Sequence, residues 1–180
     1  ASCAQELADV LLSLDPLARA HTLLDDGVPR AEQTGTVAFW DRRQKLETLV
    51  HLWDLRTAAG LDWPDSAVGR ATTPQEALWW DCVDEVAGVM HPRQVRLGRV
   101  APPPVRLVLR RPDGHAITFN GGLTREVVDE LPPITVHASA RDLALLVWGR
   151  ADPGSANVDV TGDDGERGAL RGLLAAGLTP

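Results

Sequence analysis

The chain has no tyrosine, one lysine (Lys45), one methionine and two cysteines in its 180 residues. Cys3 and Cys82 stand far apart and form no spaced pair, which excludes a disulfide-built scaffold and a cysteine-based metal motif. Such usage predicts a reducing, cytoplasmic setting. No apolar run approaches the roughly 20 residues of a membrane-spanning helix, so no membrane partner is expected. Positive charge is scarce: 18 Lys and Arg face 25 Asp and Glu, for a net charge of −7. That balance argues against nucleic acid as a partner, because phosphate binding wants a basic face. The start, Ala1-Ser2-Cys3-Ala4-Gln5, lacks the charged segment and apolar core of a signal peptide. It predicts an interior cut of a longer chain. Internal repeats and low-complexity tracts are also missing.

The 180 residues suffice for one ordinary domain or two small ones, and the 44% hydrophobic content reads as a globular chain. Residues 4–14 have helical apolar spacing and end at Asp15-Pro16, and residues 17–35 read as a loop. A long helix is predicted from Thr36 to Ala59, stopped by Gly60. After the linker Leu61–Thr73, Thr73 can cap and Pro74 can open a helix that His91-Pro92 ends. The stretch Val100-Ala101-Pro102-Pro103-Pro104 is a stiff boundary. Beyond it, Val105–Arg110 alternates as a strand, Pro112-Asp113-Gly114 turns, and His115–Asn120 returns. Gly121–Pro133 reads as a loop with a further short strand. Ile134–Ala138 is a strand, and Ser139 caps a helix that Gly149 ends. Asn157–Val160 is a strand, and Asp163–Ala176 a final helix. The expected class is α+β, with a helical first half (1–99) and a small α/β second half (100–180).

One triplet carries the most chemistry. Glu47, His51 and Asp54 lie four and three residues apart, so they share one stripe of the long helix. Leu49, Val50, Leu52 and Trp53 flank them. A divalent metal is one good partner for such a group. The alternative is an intrahelical Glu–His pair, which spacing alone favours.

The surrounding residues resemble the mycothiol-dependent maleylpyruvate isomerase family. Three segments carry the resemblance: F-W-D-R-R-Q-K-L-E-T-L-V-H-L-W-D (Phe39 to Asp54), Asp81-Cys82-Val83-Asp84-Glu85, and S-A-R-D-L-A-L-L-V-W-G-R (Ser139 to Arg150). The later V-D-V-T-G-D also fits, and the likeness spans nearly the whole chain. It implies part of a DinB-like metal-binding helical bundle followed by a sterol-carrier-like α/β domain. It further implies a divalent metal, zinc, with Glu47 and His51 as ligands and mycothiol as thiol cosubstrate. The family's remaining ligand, a His from an early helix, would precede Ala1. Two departures stand out: Leu46 occupies the position of a family His, and Leu52 that of a frequent Arg.

The implied reaction is cis–trans isomerisation of maleylpyruvate by thiol addition and elimination. Asp54 would orient the imidazole or bind metal directly. Arg42 or Arg43 would meet the carboxylates of a small dianionic substrate, unless they form surface ion pairs. Arg150 would reach a cleft between domains, or else answer the dipole at its helix end. Asp81, Asp84 and Glu85 read best as a solvated acidic face. Cys82 reads as a buried small residue. Among the other histidines, only His21 is kept as a substitute third ligand. The six tryptophans could line a pocket but more often build core. A bundle short of helices exposes apolar surface, which predicts a partner or a homo-oligomer. The competing functions are a non-catalytic small-molecule binding module and another thiol S-transferase of the DinB-like superfamily.

Overall fold

A computed structural model describes residues 2–63, 74–155 and 157–179. The fold is α+β, with helices and one four-stranded mixed sheet. The chain forms two compact units, Ala1–Pro64 and Asp65–Pro180.

The first unit holds α1 (Cys3–Ser13), a 3-10 turn (Arg30–Glu32) and α2 (Val37–Ala58). Ser2 caps α1 by accepting from the Gln5 amide. The expected stop of α2 at Gly60 is realised as a Schellman motif. Gly60 takes φ +65° and donates to the Thr57 carbonyl, while Leu61 donates to that of Arg56. Leu46 and Val50 are fully buried on α2, but α1 buries no residue at all. Leu7, Val10, Leu12 and Leu14 on and just after α1, and Leu52 and Leu55 on α2, remain exposed.

Residues 15–36 are an ordered loop closed on itself. An isolated bridge joins Arg19 to Thr36, and the Ala20 amide donates to the Gly35 carbonyl. The buried Asp25 carboxylate holds the middle. It accepts from the Thr22 amide (2.7 Å) and hydroxyl (3.0 Å), and from the amides of Thr34 (2.9 Å) and Gly35 (3.1 Å). Burial raises this carboxyl's pKa, but the donors from Thr22, Gly35 and Thr34 outweigh it and leave it below the usual carboxylate range. The Trp40 indole donates to the His21 carbonyl and ties the loop to the start of α2.

The second unit begins with α3 (Pro74–Glu85), whose first residue is the expected proline. The expected cap Thr73 lies outside the described residues. The helix does not stop at His91-Pro92. It widens into a π turn, Val86–Met90, and continues as α4 (His91–Arg96). Proline lacks an N–H and would strike the carbonyl four residues back. The His91 amide reaches instead to the Val86 carbonyl, five residues back, so the ladder opens just ahead of the ring.

The sheet runs β2-β1-β3-β4. Strand β1 (Arg106–Arg110) pairs antiparallel with β2 (Ala116–Thr118) across the expected turn, and parallel with β3 (Pro133–His137). Strand β4 (Asp159–Thr161) pairs antiparallel with β3. A parallel neighbour needs a crossover, and part of it is helical. Residues Arg125–Glu130, expected as loop or strand, form α5. Six residues are too few for a helical period to register, and Val127-Val128 reads locally as strand. The alternation of β1 is borne out: Leu107, Leu109, Ile134, Val136 and Val160 fill one face.

Helix α6 (Ala140–Val147) buries six of its eight residues and packs against α3. Ser139 caps it as expected, accepting from the Asp142 amide at 3.1 Å. Glu76 of α3 accepts from the Ala140 amide at 3.1 Å, so a second side chain satisfies the same helix start. Gly149 ends the helix with φ +73°. Helix α7 (Asp164–Ala175) opens with a capping box between Asp163 and Glu166 and packs on β3. Among the described residues, no helix is long and apolar enough to cross a membrane.

Candidate functional site

The triplet of α2 converges as its spacing requires. His51 Nε2 lies 3.8 Å from Glu47 Oε1, and His51 Nδ1 lies 3.3 Å from Asp54 Oδ2. Each ring nitrogen thus faces one carboxylate. The imidazole is 59% exposed, so the group sits on a helix surface and not in a closed cavity. Buried Arg43 lies one turn before it, with its guanidinium 3.3 Å from the same Glu47 oxygen. Arg43 therefore pairs with Glu47 in this structure, from a buried position and not from the surface.

The chemistry of the donors can be tested against zinc. Two ligands with bonds of about 2.0–2.2 Å stand roughly 3.3 Å apart around a tetrahedral ion. A small side-chain rotation would bring Glu47 Oε1 and His51 Nε2 to that spacing. Asp54 occupies the place of the carboxylate that orients a metal-binding imidazole through its other nitrogen. The set is nonetheless incomplete. Among the described residues, no three His, Cys, Asp or Glu side chains are grouped to hold a metal ion. His21, kept as a substitute ligand, pairs instead with Asp26 at 3.2 Å. Leu46, at the position of a family His, is fully buried.

The other candidates disperse. Arg150 is exposed beyond the end of α6, where its guanidinium donates to the Trp148 carbonyl at 2.5 Å and lies over the Trp148 ring. That is the helix-end arrangement. Cys82 is buried, as expected. The acidic face of α3 is only partly solvated: Asp84 is exposed and Asp81 half-buried, but Glu85 is buried. Among the tryptophans, Trp79 and Trp148 are core. Trp53 and Trp63 meet at 5.5 Å with their rings tilted by 46°, and Trp80 lies under the Arg111 guanidinium.

Two features escaped the sequence reading. Asp81 and Asp84 line a shallow groove of about 690 Å³ with Ala77, Leu78, Trp80 and Ile117, a wall shared by α3 and β2. Helical period placed the acids on one face, but nothing local joins α3 to a strand some thirty residues on. The second is His91, fully buried, with neither ring nitrogen hydrogen-bonded among the described residues. Its ring meets Phe119 at 5.7 Å, and burial pushes its pKa down to about 4. A His-Pro pair reads as a helix end, and the run Val86–Met90 just before it was the local hint that this histidine packs in the core.

Comparison with known proteins adds one finding. No curated protein matches the chain. A family model described as the MDMPI C-terminal domain matches residues 77–169, from the first turns of α3 into α7. The matched stretch contains the sheet, the π turn and the α3–α6 pair, and it covers just over half of the sequence. The chain belongs to the MDMPI C-terminal domain family.

Proposed function

We propose that this chain is part of a mycothiol-dependent maleylpyruvate isomerase-like protein. Glu47 and His51 would be two of the ligands of a divalent metal, zinc, and a third ligand would come from outside these residues. The observation that carries the reading is the orientation of His51, with Nε2 toward Glu47 and Nδ1 toward Asp54. The membership of residues 77–169 supports it from the other unit. The exposed apolar residues of α1 and α2 support a larger helical bundle around them.

The bound metal would supply charge stabilisation for a thiolate or an enolate. The thiol of mycothiol adds to the cis double bond of maleylpyruvate. Rotation about the resulting single bond and loss of the thiol then give the trans isomer. In this scheme Asp54 holds the imidazole in the tautomer that leaves Nε2 free to ligate. Arg43 keeps Glu47 extended from the helix until metal replaces the ion pair. The test has two readouts on the whole protein that carries this chain and the third ligand, and on its E47A and H51A variants. Zinc content comes from native mass spectrometry, and turnover from the absorbance of maleylpyruvate with and without mycothiol. Zinc lost in both variants supports the reading, and wild-type protein without zinc sinks it.

A second reading is a non-catalytic small-molecule binding module. It is favoured by the Arg43–Glu47 contact and by the family match lying wholly in the second unit. Unchanged ligand binding in E47A would select it.

A further inference from the structure

The loop of residues 15–36 encloses a concavity of about 540 Å³, lined by Arg19, Ala20, His21, Arg30, Gln33 and Gly35. We propose that this concavity is a binding site for a small organic anion, recognised through its carboxylate or phosphate oxygens by Arg19 and Arg30. It is independent of the Glu47–His51 group. Trp40, which touches the loop, and His51 are separated by about 16 Å of helix axis.

Three observations carry it. The first is charge. In a chain of net charge −7, two guanidiniums meet at one concavity, beside a His21 already paired with Asp26, and no carboxylate residue lines it among the described residues. Two guanidiniums facing one hollow repel each other, and an anion between them relieves that repulsion. The second is size. The volume falls in the range of small-molecule sites and exceeds what a lone chloride needs.

The third is preorganisation. The Arg19 guanidinium donates to the Gln33 carbonyl at 2.5 Å, which fixes one wall against the other. Behind them, Asp25 spends both carboxylate oxygens on Thr22, Thr34 and Gly35, so it holds the backbone and leaves the cations to a ligand. Gly35 lines the concavity where a side chain would collide with Asp25, the Ala20 carbonyl and Thr22. A wall built this tightly loses little conformational freedom when a ligand binds. His21 is held at the rim by its contact with Asp26 at 3.2 Å.

The probes are inorganic phosphate and succinate, each titrated calorimetrically into the full chain at low salt. One of them should bind with a dissociation constant of about a millimolar or tighter, and which one binds identifies the oxygen group. Arg30 is the residue to change, because Arg19 also braces the loop. R30A should weaken the bound probe at least tenfold and R30E should abolish binding, with circular dichroism unchanged. Amide shifts on titration should cluster in residues 19–35. Failure of both probes to bind up to about 10 mM overturns the proposal. So does an R30A variant that binds as well as the parent.

Discussion

His51 presents its two ring nitrogens to two different carboxylates, with Nδ1 3.3 Å from Asp54 Oδ2. This contact determines what each acid can do. If His51 ligates zinc, Asp54 acts through the imidazole and not on the metal. D54N should therefore weaken zinc binding about 10- to 100-fold, whereas H51A should remove it. Competition with a chromogenic chelator measures both. Equal losses for the two variants would place Asp54 in direct contact with the metal.

Stability should depend on His91. Its folded pKa is about 4 because burial disfavours the charged ring, against about 6.5 in the unfolded chain. Between these values the unfolded state binds the extra proton. Stability is thus complete above about pH 6.5, falls as the pH drops toward 4, and levels off below. Urea midpoints from pH 7.5 to 4 should show this slope for the parent chain. H91F should flatten it, and a variant that keeps the full slope would assign it to other groups.

The loop of residues 15–36 should not tolerate a side chain at position 35. A methyl group there meets the Asp25 carboxylate, the Ala20 carbonyl and the Thr22 side chain together. Overpacking of this kind costs about 1–3 kcal/mol. G35A should lower the unfolding midpoint of the first unit and open residues 15–36 to limited proteolysis. D25N should act in the same direction at neutral pH, because it removes an acceptor from Thr34 or Thr22. At acid pH the parent and D25N should converge as Asp25 protonates, since its lowered pKa contributes stability only while it is ionised.

Helix α6 receives two acceptors at its start, Ser139 and Glu76. S139A should cost about 1 kcal/mol, the usual loss of a cap. E76A should add to it more than independently, because the Ala140 amide and its neighbours then lose both acceptors. A double-mutant cycle in urea checks the coupling.

Several elements were legible because their signals are local. Gly60 and Gly149 announced two helix ends, Ser139 announced a helix start, and the alternation of Val105–Arg110 announced the strand that pairs with both neighbours. The spacing of Glu47, His51 and Asp54 was also enough to predict that they meet. Where neighbours in sequence conflict, the reading failed. Pro92 looked like a stop until the π turn made room for it, and Val127-Val128 looked like strand in a helix of six residues.

Periodicity and capping act over a few residues, so the α+β class, most element ends and the contact of three side chains on one helix could be read from local pattern. Tertiary structure alone decided that Arg19 and Arg30 face one concavity, that His91 is buried against Phe119, and that α3 braces α6. Each of these depends on the chain returning to itself across ten to sixty residues. Such closure is set by the sum of many weak contacts, and no short pattern records it.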